Sequence, residues 1–299
     1  MRQIDFVSMK LFVAVAEEKS MSKAAAREHI ALAALSKRIT RLEDDLEVPL
    51  LERNPRGVKL TSAGYALLQH ARGLLFAIQR LGSELRDYSN GIRGYVRLAA
   101  NTSAMAYYLP EELGVFMRNN PSISVDLQEC LSIGVVNAVR DGIADIGIFS
   151  SNIPAEKLVV FPYRKDTLVI VTPRSHPLAK YKTIRLQDAL AFDFIGLEEA
   201  SAIHALIARE ATALGRPPKL RGQLRSFAAI CRMIQHSIGI GILPELAATP
   251  YLKPMGLRKI NLAEQWGQRE LLLGVRDVRA LTPSANQLLK HLCKKQGNS

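Results

Sequence analysis

Between residues 31 and 42 the chain reads Ala-Leu-Ala-Ala-Leu-Ser-Lys-Arg-Ile-Thr-Arg-Leu. At 3.6 residues per turn, Leu35, Ile39, Leu42 and Leu46 share one side of a helix, and Leu32, Ala33, Ser36, Lys37, Thr40 and Arg41 share the other. An exposed face of small, hydroxyl and cationic side chains is chemistry for phosphate oxygens and base edges. Arg53, Arg56 and Lys59 follow around the turn Asn54-Pro55-Arg56-Gly57, where cations would meet phosphates or a minor groove.

A second set of polar groups lies farther along: Asn101-Thr102-Ser103, Leu131-Ser132, Phe149-Ser150-Ser151, Ala200-Ser201-Ala202 and Ser226-Phe227. Each stands near the carboxyl end of an apolar, strand-like run. Parallel sheets bind ligands beyond such ends, where free helix N–H groups face anions. A small organic anion, for example a carboxylate, suits this set; the plainer alternative is that each hydroxyl caps its own helix. Arg225 adds either a charge for that anion or a solvated surface side chain, and His204 stands on a helix nearby.

Catalytic patterns are lacking. There is no Gly-x-x-x-x-Gly-Lys loop, and Gly239-Ile240-Gly241 has no third glycine and enters a strand where a dinucleotide site would leave one. The six histidines, at 29, 70, 176, 204, 236 and 291, show neither metal-ligand spacing nor a Gly-x-Ser-x-Gly partner. The expectation is therefore a non-enzyme without metal or cofactor.

The elements that must hold these groups can be read from periodicity. Phe6 to Glu18, with Phe6, Met9, Phe12, Val13 and Ala16 at helical spacing, predicts a first helix. Met21 to Glu28 predicts a short second one, whose Ala24, Ala25 and Ala26 allow close approach, and Ala31 to Asp44 predicts the third. Two helices joined by a tight turn, followed by a small hairpin over residues 49–60, form a helix-turn-helix with a wing. Thr61 then caps a long helix to about Asn90, in which Leu67, Ala71, Leu74, Ile78, Leu81, Leu85 and Tyr88 keep a four-three spacing. Such a seam calls for a partner helix, and a second copy of the chain is the expected one; the plainer alternative is that the seam packs on its own domain.

From residue 94 strands alternate with helices. Strands are expected at 95–100, 125–129 and 145–149 with helices at 105–119 and 135–140, which makes a parallel sheet covered by helices. Two strands, 158–163 and 167–172, follow. The alternation then restarts with strands at 194–197, 220–224 and 240–243 and helices at 202–214 and 227–235, before a last strand at 270–275 and a helix at 284–293.

Composition sets outer bounds. The 299 residues are 48% hydrophobic and 23% charged, ordinary for a globular chain of about two domains. The longest stretch without Lys, Arg, Asp or Glu is Leu98 to Pro110, short of the ~20 residues that cross a bilayer. The start, broken by Lys10 and closed by Glu17 and Glu18, has no signal-peptide pattern, so a cytoplasmic location without membrane contact is expected. Cys130, Cys231 and Cys293 are odd in number and far apart, which argues for unpaired structural thiols. The net charge of +12 permits a polyanionic partner without locating it, because residues 1–90 hold only 14 of the 40 Lys and Arg against 11 of the 28 Asp and Glu.

Residues 1–90 resemble the winged helix-turn-helix and linker helix of the LysR-type transcriptional regulators. The resemblance rests on Phe12 to Glu18, Ala24 to Ala26, Leu35-Ser36, Ile39, Leu42-Glu43, Pro49-Leu50, Glu52-Arg53, Leu60-Thr61 and Ala63-Gly64. The rest of the chain is similar to the family's effector-binding part. The resemblance implies an α+β multidomain chain: a DNA-binding domain over 1–61, a dimerisation helix over 62–90, and two α/β lobes like a type 2 periplasmic binding protein. Lobe I would take 91–162 and 267–299 and lobe II 163–266, crossing near Tyr163 and Trp266. It further implies that Thr102, Ser103, Ser132 and Ser201 line an effector cleft, with Phe149, Ser150 and Phe227 beside them. The implied partners are double-stranded DNA, a small-molecule effector, further copies of the chain as dimer or tetramer, and RNA polymerase. A cytoplasmic solute-binding protein without regulatory DNA binding is the alternative, but it has no use for residues 1–90.

One departure falls in the helix meant to enter the groove. Where the family usually has Ser, Gln and Pro, this chain has Ala31, Leu32 and Ala33. Leu32 can neither donate nor accept a hydrogen bond, so either it touches a thymine methyl or it faces the protein core and reads nothing.

Overall fold

A computed structural model of the chain describes residues 5–54, 57–89 and 94–294. There are two compact units, one on Met1–Gly91 with Asp141–Ile143 and the other on Ile92–Arg140 and Ala144–Ser299.

In the first unit, α1 (Phe6–Glu18) starts at Asp5, whose carboxylate accepts from the Ser8 N–H at 2.9 Å and from the Ser8 hydroxyl at 2.6 Å. Next, α2 (Met21–Arg27) is capped by Ser20, and α3 (Leu32–Leu46) starts at Ala31, which supplies no side-chain cap. His29, in left-handed conformation at φ 54°, makes the turn between α2 and α3. Two antiparallel strands, β1 (Leu51–Asn54) and β2 (Gly57–Leu60), form the wing, and α4 (Ser62–Ser89) follows. Phe12, Val15, Ala24, Ala25, Leu35, Ile39, Leu42 and Leu50 share one core, in which alanine on α2 lets α1 and α3 close in.

Two polar devices join α3, the wing and α4. Glu43 Oε1 accepts from the N–H groups of Leu50 and Leu51 at 2.8 and 3.0 Å, pinning α3 to the start of β1. Thr61 donates to the Pro49 carbonyl at 2.8 Å and accepts from the Gly64 N–H at 3.0 Å. A side chain at Gly64 would put its Cβ 2.2 Å from the Leu50 carbonyl oxygen, so only glycine lets α4 pass there.

The second unit runs β3 (Gly94–Ala100), α5 (Thr102–Tyr107), α6 (Leu109–Asn119), β4 (Ile123–Glu129), α7 (Ser132–Arg140), β5 (Ile146–Ser150) and β6 (Val159–Pro173). It continues through β7 (Thr183–Ile184), α8 (Leu186–Ala189), β8 (Asp193–Leu197), α9 (Ala202–Ala213), β9 (Lys219–Leu224) and α10 (Phe227–Gln235). It closes with β10 (Gly241–Pro244), α11 (Glu245–Leu252), β11 (Leu257–Leu262), β12 (Gln268–Val275) and α12 (Pro283–Lys294). The main sheet has the order β4-β3-β5-β12-β6-β11-β7, with β10 also paired to β6. As the alternating pattern requires, β3 lies parallel to β4 and β5, and β8 parallel to β9.

Two separate cores lie in this unit. One gathers Val96, Leu98, Phe116, Ile146, Ile148, Leu271 and Leu288; the other gathers Leu168 to Val171, Phe194, Ile230, Ile242 and Ile260. The 158–163 and 167–172 strands expected from sequence are one continuous strand, β6, which serves both cores. Its first half pairs with β12 from Val159 to Thr167, and its second half pairs with β10 and β11. The polar stretch 164–166 does not break it, because Arg164 and Asp166 find buried partners on Glu112 and Arg269. The single helix expected over 105–119 is two, α5 and α6, since Pro110 takes a first-turn position and restarts the helix.

Candidate functional site

On α3, Ala31, Leu32, Ala33, Lys37, Thr40 and Arg41 are exposed, and Ser36 is partly so. Leu32 is 46% exposed, which removes the alternative that it packs in the core. Arg41 lies 3.8 Å from Asp45 one turn on, and Arg38, off the proposed face, lies 3.5 Å from Asp5. Lys59 is exposed on the wing. Arg56 and the side chain of Arg53 lie outside the described residues.

The α4 seam divides. Ala71 is fully buried against Met9 and Val13, and Leu67 is half-buried against the core of its own unit, so both contribute to the packing of the domain itself. Leu74, Ile78 and Leu81 are 52%, 48% and 56% exposed. The side chains of Leu85 and Tyr88 lie outside the described residues.

In the second unit the strand ends converge on an open cleft. Thr102, Ser103, Ser132, Ser201 and Phe227 all line it, together with Asn101, Cys130, Glu198, Arg225 and Arg269. Phe149 and Ser150 do not. Phe149 is fully buried at the β5–β12 ladder, where a Cβ on Gly274 would meet its ring at 2.6 Å, and Ser150 is held in the same ladder with 1% exposure. Both stand at the carboxyl end of β5, as expected, but their side chains are buried in the sheet and are not among the residues that line the cleft.

The hydroxyls do more than cap. Ser132 Oγ accepts from the Asn101 side-chain amide and from the Ser150 N–H, both at 3.2 Å, so its two lone pairs are engaged and its proton remains for an acceptor in the cleft. Asn101 caps α5 through its carbonyl oxygen, which accepts from the Ala104 N–H at 3.0 Å, and so sets the Ser132 geometry. Ser201 both caps α9, accepting from the His204 N–H at 3.1 Å, and faces the cleft. The N-termini of α7, α9 and α10 begin at lining residues, which favours negative charge there.

Sequence reasoning missed Arg269 and Asp166. Arg269 lines the cleft and is 8% exposed; its Nη2 donates to Asp166 and, at 3.0 Å, to Ser103 Oγ. Burial raises the Asp166 carboxyl above its ordinary value, opposed by the Arg269 charge. The two residues stand 103 apart in sequence on neighbouring crossing strands, so no local pattern marks the pair. At the other wall Arg225 donates to Glu198 at 2.8 Å. Tyr107 packs beside Phe227 with ring centroids 6.1 Å apart, and burial pushes its phenol up to about 12. Cys130, Cys231 and Cys293 are unpaired, and burial pushes each thiol up. Among the described residues no helix is long and apolar enough to cross a membrane.

Residues 6–65 match the family described as bacterial regulatory helix-turn-helix protein, lysR family, and residues 89–296 match the LysR substrate binding domain. The chain belongs to the LysR family of transcriptional regulators. It is 32% identical over 284 residues to the HTH-type transcriptional regulator YbhD of Escherichia coli (strain K12), covering 94% of this chain and 88% of that protein. A probable RuBisCO transcriptional regulator of Synechocystis sp. is 29% identical, with 80% and 71% covered. Among solved structures, CbnR, a LysR family transcriptional regulator, superposes with a TM-score of 0.69 at 21% identity, covering 97% of this chain and 99% of CbnR. The regulatory domain of Synechocystis CcmR in complex with 2-PG gives 0.64 at 24% identity, covering 69% and 99%. As a LysR regulator the chain thus has a DNA-binding helix-turn-helix unit and an effector-binding unit, and its fold is that of the family.

Proposed function

We propose that this regulator recognises a specific operator through α3 and the wing, pairs with a second copy along α4, and responds to a small organic anion held in the cleft of its second unit. Residues 1–61 would bind DNA, 62–90 would pair subunits, and 91–299 would sense the effector, with RNA polymerase as a further partner. The observation that carries the effector reading is the Ser132 hydroxyl, which has both lone pairs engaged and can only donate into the cleft. Three helix N-termini add partial positive charge to the same cavity. In keeping with this, the solved relatives include CcmR with 2-PG and the effector domain of QuiR with shikimate, both bearing anionic groups, and CbnR with its target DNA.

Calorimetry tests the effector assignment. A panel of two- to seven-carbon carboxylic and phosphorylated acids, shikimate among them, is titrated into the wild type and into Thr102→Ala. The expected result is one acid bound by the wild type and weakened in the variant; equal binding by both removes the cleft assignment. Footprinting on genomic DNA with and without that acid then tests operator recognition.

A further inference from the structure

The guanidinium of Arg269 is only half used. It carries N–H donors in a planar fork, yet among the described residues its hydrogen bonds run through Nη2 alone, to Asp166 and Ser103, and Nε is buried without a partner. A buried donor without an acceptor is rare in folded proteins and wants an explanation. Asp166 does not provide it, since its carboxylate accepts from Nη2, the same nitrogen that donates to Ser103 Oγ. The arrangement leaves one edge of the guanidinium unmatched just under the floor of the cleft that Arg269 lines.

Resting on the anion reading of the cleft, we propose that Arg269 is the residue that makes the cleft select a two-oxygen anionic head, a carboxylate or a phosphate, over its neutral ester or amide. An anionic oxygen reaching the Nε edge gives the fork its second acceptor, and the Ser132 hydroxyl and the α7 N-terminus face the same cavity. The floor must shift slightly to admit it, because Nε is closed to solvent. Such a shift falls on β6 and β12, the strands that carry Asp166 and Arg269 and serve both cores. Ligand charge is thereby linked to the crossing between the lobes. Arg225 is the weaker candidate for this role: its side chain is 84% exposed and its charge is met by Glu198 in solvent.

The experiment uses the full chain and the tightest-binding acid of the panel above, beside the primary amide of that acid. The wild type is expected to bind the acid roughly tenfold or more tightly than the amide. The double variant Arg269→Met/Asp166→Asn removes both charges together and so leaves no lone buried ion. It is expected to lose the preference for the acid, its affinity for the acid falling by a larger factor than its affinity for the amide, while keeping its far-UV circular dichroism. Arg269→Lys retains the charge opposite Asp166 but not the fork; it is expected to lower the acid-to-amide ratio several-fold, and it serves as the measurement if the double variant does not fold. An unchanged ratio in either folded variant overturns the role of Arg269. Should the wild type bind the acid and the amide equally, or lose nothing on Thr102→Ala, the anion reading itself fails and this proposal falls with it.

Discussion

If α3 enters a major groove as proposed, the exposed Leu32 offers a base pair only methyl groups, so thymine is its one direct partner there. Leu32→Gln is expected to move the preference at one operator position towards adenine, by about 1–3 kcal/mol, when binding is scored across a randomised operator library. An unchanged profile means that Leu32 reads no base. Glu43 acts differently: it touches no DNA-facing group and holds two backbone N–H donors at the root of the wing. Glu43→Ala leaves both without an acceptor and is expected to cost roughly 1–3 kcal/mol in urea unfolding, most of it restored by Glu43→Gln. Leu32 stood out in the sequence through the family resemblance, as an apolar side chain where the family usually has a hydrogen-bonding one. The sequence could show neither the Glu43 contact nor the Asp166–Arg269 pair, because a side chain's partner across the fold leaves no mark in local periodicity. Phe149 and Ser150 stand at the strand end that the alternation marks, but their burial depends on the pairing of β5 with β12, which local periodicity does not show.

Helix α4 illustrates what periodicity does and does not say about an element. The four-three spacing runs unbroken from Leu67, but the domain core takes Leu67 and Ala71, and only Leu74, Ile78 and Leu81 remain exposed among the described positions. Ile78→Arg is expected to yield monomers by light scattering while keeping the far-UV circular dichroism of the folded chain, because that side chain is half exposed; a retained dimer would move the pairing surface elsewhere. Helix α1 is tied to α2 and α4 by one carboxylate, Glu17, which lies 2.9 Å from Arg27 and 3.0 Å from Arg72. Burial alone would raise this carboxyl, but the two arginines outweigh it and hold it below its ordinary value. A depressed folded value means that the stability Glu17 provides is present above the ordinary glutamate range and is lost as pH falls through the folded value. Melting of wild type and Glu17→Gln across acid to neutral pH is therefore expected to converge below pH ~4, and a constant gap would show that Glu17 adds no such linkage. Short regular elements were legible wherever one face is apolar. The long β6 was not, because Arg164 and Asp166 read as a loop until their buried partners are known.

At the scale of the whole chain, the charge of +12 misleads, since residues 1–90 hold nearly balanced charge and the excess cations lie beyond them. Salt dependence of operator binding should then follow the few cations near α3 and the wing, and Lys59→Ala is expected to reduce the slope of log K against log salt by about 1 per bound copy. The two-lobed organisation was expected through family resemblance; alternation of strands and helices gives the lobes' elements but not the crossing, which depends on pairing between β6 and β12 across about a hundred residues. What joins the effector cleft to DNA binding is a free energy, and linkage makes it reciprocal: if the acid changes operator affinity by some factor, operator must change acid affinity by the same factor. A coupling of ~1–3 kcal/mol corresponds to roughly 5- to 150-fold in both directions. Calorimetric titration of the acid into the full chain, alone and saturated with operator duplex, measures one arm, and operator binding with and without the acid measures the other. The two arms must agree, so a shared factor different from one establishes that acid and operator are coupled at equilibrium, whereas an acid that binds with one affinity in both titrations does not act on DNA binding at equilibrium, and its effect on transcription must then arise after the operator is bound.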